Sequence, residues 1–215
     1  MGQIKRKGKK ALHPSPESDS GFTLIELLIA MAVGLVLLGA MYGVFTMHNK
    51  IFTNQEQIAE MQQNARAAMD MMIREIRMAG YDPTGTANAA ITDADVGSII
   101  FTQDLDGDGS LMDGSNWDIN ERIRYNLYTS DGIQKIGRRT GLDTAITQPV
   151  AEHVQSLTFQ YRDASGTITT VAANVRRIQV ALTVRTSKPD PDYAPNSGYR
   201  TYTLTSIITP RNLGL

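Results

Sequence analysis

An α+β fold, with one long N-terminal helix followed by an antiparallel β-sheet head, is predicted by three observations on this sequence of 215 residues. The run from Gly21 to Phe45 is almost unbroken in apolar side chains. From His48 to Ala79 apolar residues recur at helical spacing without a proline, and beyond Trp117 the apolar spacing changes to every second residue.

Composition narrows the chemistry. At 41% hydrophobic and 20% charged, the chain has the balance of a folded protein with one membrane segment. It has no cysteine, which excludes disulfides, thiolate nucleophiles and cysteine-ligated metals. The net charge is −1, but residues 1–21 hold Lys5, Arg6, Lys7, Lys9 and Lys10 against Glu17 and Asp19, so the rest of the chain carries −4. That balance gives no electrostatic case for binding nucleic acid. The dibasic pairs Arg138-Arg139 and Arg176-Arg177 read as solvated strand edges.

The first twenty residues are too polar and proline-rich to pack. Their basic cluster is expected to stay cytoplasmic, placing the residues after Phe45 on the other side of the membrane. A helix through Gly21–Phe45 rises ~1.5 Å per residue and so crosses a ~30 Å hydrocarbon core. Glu26 is out of place there, because an acid within a span costs ~2.5–3.5 kcal/mol and so calls for a partner. Gly39 and Gly43 form G-x-x-x-G, and with Gly34 they suit close helix packing.

Gly21, Phe22, Thr23-Leu24-Ile25, Glu26 and the apolar helix that follows resemble the type IV prepilin signal, shared by type IV pilins and the pseudopilins of type II secretion. The resemblance implies cleavage after Gly21 by a membrane-bound prepilin peptidase and methylation of the new N-terminus at Phe22. It also offers Glu26 a partner, the Phe22 ammonium of a neighbouring subunit in a filament, which would set subunit register. The alternative is a carboxylate that reaches the membrane edge.

In the second half of the helix, Ile51, Ile58, Met61, Ala65, Met69, Met72, Ile76 and Ala79 lay one apolar stripe, opposite Gln55, Glu56, Glu60, Gln63, Arg66 and Asp70. Met69, Met71, Met72 and Met78 read as packing against a sheet rather than as metal ligands. Gly80 and Pro83 stop the helix. Residues 82–97 read as a surface loop. Strands are expected at Ser98–Thr102; around Ile123, Tyr125 and Leu127, with a tight turn at Asp131-Gly132; around Leu157, Phe159 and Tyr161; at a short T-I-T-T-V; around Ile178 to Val184; and from Tyr199 to Thr209.

Between them lies D-L-D-G-D-G-S-L-M-D. Asp104, Asp106 and Asp108 alternate, with Gly109 sixth, as in the first half of a calcium loop. The twelfth position is Ser115 where such a loop has a bidentate Glu, so Asp113, Asp118 or Glu121 would have to complete the shell. Calcium held by Asp104, Asp106, Asp108 and Asp113 is one reading, and an acidic hairpin tip that needs no ion is the other.

The prepilin helix, the acidic D-G-D-G hairpin, I-R-Y-N-L-Y and a terminal strand ending I-I-T-P-R-N-L together resemble a minor pilin of PilW type, closely over residues 20–50 and more loosely beyond the helix. The J-type minor pseudopilin of type II secretion is its nearest relative outside pili. That resemblance implies a type IV pilin-like fold: a cleaved leader at 1–21, a transmembrane and filament-core helix at 22–47, an amphipathic helix at 48–80 and a β-rich head at 81–215. It implies a bacterial inner-membrane protein with its head in the periplasm, later extracellular in the pilus. Partners would be other minor and major pilins, the prepilin peptidase, an inner-membrane assembly platform and a tip adhesin. Its function would be a tip or priming complex that starts pilus assembly. The alternatives are a pseudopilin or tip module that recognises cargo, a surface or DNA, and a membrane-anchored calcium sensor. His13, His48 and His153 stand in no metal-binding spacing, and no nucleophile turn or phosphate loop occurs, so no enzyme and no firm cofactor is expected.

Overall fold

The computed structural model describes residues 21–142 and 146–214, so the expected leader at 1–20, including His13, lies outside the described residues. The chain divides into two compact units after Lys50. A single helix, α1, runs Leu24–Met78 and contributes to both.

In the first unit, α1 is long and apolar enough to cross a membrane. Its large apolar side chains are exposed from Leu24 to Met47, and Phe22 just before it is 91% exposed. A Cβ at Gly34, Gly39 or Gly43 would meet no atom within 4 Å. These glycines therefore serve no packing inside the described chain.

In the second unit, α1 buries Met61, Ala65, Ala68, Met69, Met72 and Ile76, which is the predicted stripe extended by Ala68. Ile51, expected at its start, is 47% exposed, and the contact with the core begins at Ile58. Gly80 ends the helix at φ +80°, a conformation that side-chain-bearing residues adopt at a cost, and a Cβ there would lie 2.5 Å from Leu213 Cδ2. Its amide donates to Thr102 O at 2.9 Å, tying the helix end to the sheet.

The strands in chain order are β1 (Ile91–Asp95), β2 (Ser98–Thr102), β3 (Met112–Asp113), β4 (Asn116–Trp117), β5 (Arg122–Ser130), β6 (Ile133–Thr140), β7 (Gln148–Ala151), β8 (Val154–Arg162), β9 (Arg177–Arg185) and β10 (Thr201–Ile208). They form a five-stranded sheet ordered β1-β2-β5-β6-β7, a three-stranded sheet ordered β10-β9-β8 and the β3-β4 hairpin. Every pairing between them is antiparallel. The β5-β6 hairpin turns at Asp131 and Gly132, both at positive φ, as a two-residue turn of type I′ requires. On β8 and β9 the register sets Leu157 opposite Leu182, Phe159 opposite Val180 and Tyr161 opposite Ile178, all buried. One hydrophobic cluster joins Met72 and Ile76 of the helix to Ile99, Phe101 and Ile123 of the larger sheet and Leu157, Val180 and Leu182 of the smaller.

Three local expectations are corrected. The loop at 82–97 contains β1, whose only buried residue is Ile91; a five-residue edge strand with one core side chain leaves almost no alternation to read. T-I-T-T-V is not a strand: Ile168 makes an isolated bridge to Arg162, and a 3-10 turn follows at Ala172–Asn174. β7, a strand outside those expected from the sequence, contains Pro149, which is tolerated because β7 is at the sheet edge. The final strand is also shorter than Tyr199–Thr209 at both ends.

Candidate functional site

At the N-terminus, Thr23 and Glu26 form a reciprocal cap on α1. The Thr23 amide and hydroxyl each donate to Glu26 Oε2 at 2.9 Å, and the Glu26 amide donates to Thr23 Oγ1 at 3.3 Å. This is the capping box that T-x-x-E encodes at Thr23-Leu24-Ile25-Glu26. Gly21 and Phe22 precede the helix, exposed and outside regular structure. The geometry therefore presents an accessible Gly21-Phe22 bond beside a carboxylate held at the helix start, with Oε2 alone engaged in the cap.

The acidic loop is the second cluster. Asp104 is buried, and its carboxylate accepts from the Gly107 amide at 2.7 Å and the Gly109 amide at 3.1 Å. Asp106 accepts from the Asp108 amide at 3.0 Å, and Asp108 from the Ser110 amide at 2.7 Å. One carboxylate oxygen from each of Asp104, Asp106 and Asp108 lies within 4.8 Å of the others. Asp113, on β3, and the other carboxylates considered for the shell, Asp118 and Glu121, fall outside that group. Gly109 is at φ +82°, and a Cβ there would lie 2.3 Å from Thr86 Oγ1, so the loop seats against residues 84–86 only with glycine at this position.

Glu121, at the start of β5, closes beneath this loop. It is 2% exposed, and its Oε1 accepts from the Leu105 amide at 2.7 Å and the Asp106 amide at 3.4 Å. Its Oε2 is buried with no hydrogen-bond donor. Burial pushes the Glu121 carboxyl above the usual range, against the pull of those two amides. Burial also raises Asp118, reinforced by the charges of Asp106, Asp113, Asp108 and Asp104.

A polar clamp that sequence reasoning missed joins helix to sheet. Arg138 Nε on β6 donates to Glu75 Oε1 and Oε2 at 3.0 and 2.9 Å, and the hydroxyl of Tyr125 on β5 donates to Glu75 Oε2. Arg138 also donates to Asn120 Oδ1 at 3.1 Å, and Gln103 Nε2 donates to the Asn120 carbonyl at 2.9 Å. Burial, then the Glu75 charge, pushes the Tyr125 phenol well above its ordinary value. Arg138 looked like a solvated edge because its partner lies 63 positions earlier in the chain.

The sequence patterns of known families decide what this arrangement belongs to. The prokaryotic N-terminal methylation motif matches residues 18–42, and prepilin peptidase-dependent protein B matches residues 54–208, most of the chain. The chain belongs to the prepilin peptidase-dependent protein B family. As a member, it is a type IV pilin-like protein with the N-methylation motif of prepilins. It is 32% identical over 74 residues to the pilin-like protein PilA3 of Thermus thermophilus, a match covering 34% of this chain and 32% of that protein. The chain thus spans about a third of the length of this curated relative. A type IV-like pilin of known structure from Thermus thermophilus aligns with 71% of this chain and 98% of its own, at 12% identity and a TM-score of 0.46.

Proposed function

We propose that this family member is a minor pilin of PilW type, which joins other minor pilins in a tip complex and primes assembly of a type IV pilus from the inner membrane. The observation that carries this reading is the joint presence of an exposed Gly21-Phe22 bond, Glu26 held at the helix start and a span whose apolar side chains are exposed on every face. Residues 1–21 are the leader removed by the prepilin peptidase, and Phe22 is the methylated mature terminus. Residues 22–47 hold the subunit in the membrane and later pack in the filament core, residues 48–80 carry the head, and 81–215 form it. The head faces the periplasm before assembly and the exterior afterwards.

The mechanism is exchange of contacts rather than catalysis. The exposed apolar helix trades lipid for the helices of neighbouring pilins, an environment of similar polarity, so extraction costs little hydrophobic free energy. Glu26 keeps its cap to Thr23 through Oε2 and meets the neighbouring Phe22 ammonium with Oε1. Extraction is powered by a cytoplasmic ATPase acting through the assembly platform, and a tip adhesin is a further partner.

Deleting the gene tests the role. Pili are expected to fall well below wild-type number and to recover on complementation, with the subunit present in sheared pili at a small fraction of the major pilin. Wild-type piliation without it, and its absence from sheared pili, would contradict the assignment.

A further inference from the structure

We propose that Asp104, Asp106, Asp108 and Glu121 form a calcium-binding site on the head. The first three gather one oxygen each within 4.8 Å on a loop whose glycines permit the tight turn. An acidic loop alone is a common surface feature. The independent observation is Glu121: it is buried, its Oε1 is fixed against the Leu105 and Asp106 amides of the same loop, and its Oε2 has no donor. A buried carboxylate oxygen without a donor is costly unless a proton or cation meets it.

The donor set selects the cation. Four carboxylates with neither imidazole nor thiolate make a hard-oxygen site, suited to calcium or magnesium rather than to zinc or copper. The glycine-rich loop favours the irregular coordination of calcium over the near-ideal octahedron magnesium demands. Asp106 and Asp108 are exposed and leave an entry path, and Asp104 is buried. Glu121, buried against the amides of the same loop but outside the trio of gathered oxygens, would turn its Oε2 to the ion on binding. Glu121 thus takes the closing role that Ser115, twelfth in the loop, has no carboxylate to fill. It is recruited from the start of β5 instead of from a following helix.

The loop also touches the segment after α1, since Thr86 Oγ1 donates to the Gly109 carbonyl at 3.2 Å. A bound cation would therefore stiffen residues 104–109 together with the 84–86 segment. The site lies on the head and does not depend on how the subunit serves the filament.

The test is calcium binding to the full chain in detergent, read by titration calorimetry and by thermal unfolding in CaCl2, MgCl2 and EGTA. A calcium-dependent rise in Tm of about 5–10 °C is expected near saturation, with a smaller rise in magnesium. Glu121→Gln keeps an acceptor for the two amides, so it should unfold in EGTA no earlier than the wild type while losing roughly tenfold or more in calcium affinity. Asp108→Asn, on the exposed side, should weaken binding without affecting the fold. No saturable calcium binding by the wild type, tighter binding of magnesium than calcium, or unchanged affinity in Glu121→Gln would each overturn the site.

Discussion

Glu26→Val is expected to insert into the membrane normally yet be missing from filaments. Valine removes the charge that the neighbouring Phe22 ammonium would meet, and a buried ion left without its partner costs about 3–5 kcal/mol, roughly a hundredfold or more in incorporation. Valine also removes the cap on Thr23, so it does not by itself separate pairing from helix capping. Glu26→Gln does. Glutamine completes a capping box as glutamate does but brings no charge. If the charge sets subunit register, Glu26→Gln fails to incorporate as completely as Glu26→Val, scored by sheared-pilus immunoblots against membrane fractions. Wild-type incorporation of Glu26→Gln would reduce Glu26 to a helix cap.

Glu75→Ala should lower the stability of the head by about 3–5 kcal/mol, the range for stranding a buried charge. It leaves the Arg138 side chain, 9% exposed, and the fully buried Tyr125 hydroxyl without their shared acceptor. In denaturant titrations of the full chain, the midpoint should fall with little change in slope. The triple variant Glu75→Leu, Arg138→Met, Tyr125→Phe should recover much of the loss, because replacing a buried polar cluster with apolar side chains is often neutral or better, whereas leaving the Tyr125 hydroxyl in place would strand it. A Glu75→Ala midpoint close to the wild type would mean that water satisfies Arg138 and that the clamp contributes little.

The parts of the fold legible in the sequence were those written in local periodicity. Met61 to Ile76 and Ile178 to Val184 repeat with the period of their element and are buried as that period requires, Ser98–Thr102 is a short run buried along its whole length, and the exposed Asp131-Gly132 turn is marked by residue type. What escaped was set by partners distant in the chain. β1 and β7 are edge strands defined by their neighbours rather than by their own composition, and Arg138 is buried with Glu75 of α1 and Asn120 as its partners, both distant from it in the chain. At the candidate sites, Gly21, Phe22 and Glu26 stand out by residue type and order, and the three alternating aspartates by spacing. Glu121 could be named only as one of several carboxylates that might close the loop, since its orientation depends on where β5 begins relative to Leu105.

The central claim is that this chain is made as a prepilin and matured at Gly21-Phe22. It is tested most directly by intact mass of the full chain isolated from cells with and without the prepilin peptidase. With the peptidase, the mass should drop by residues 1–21 and rise by one methyl group on Phe22, and without it the complete chain should persist. Retention of residues 1–21 with an unmodified Phe22 in cells that hold an active peptidase would contradict the account.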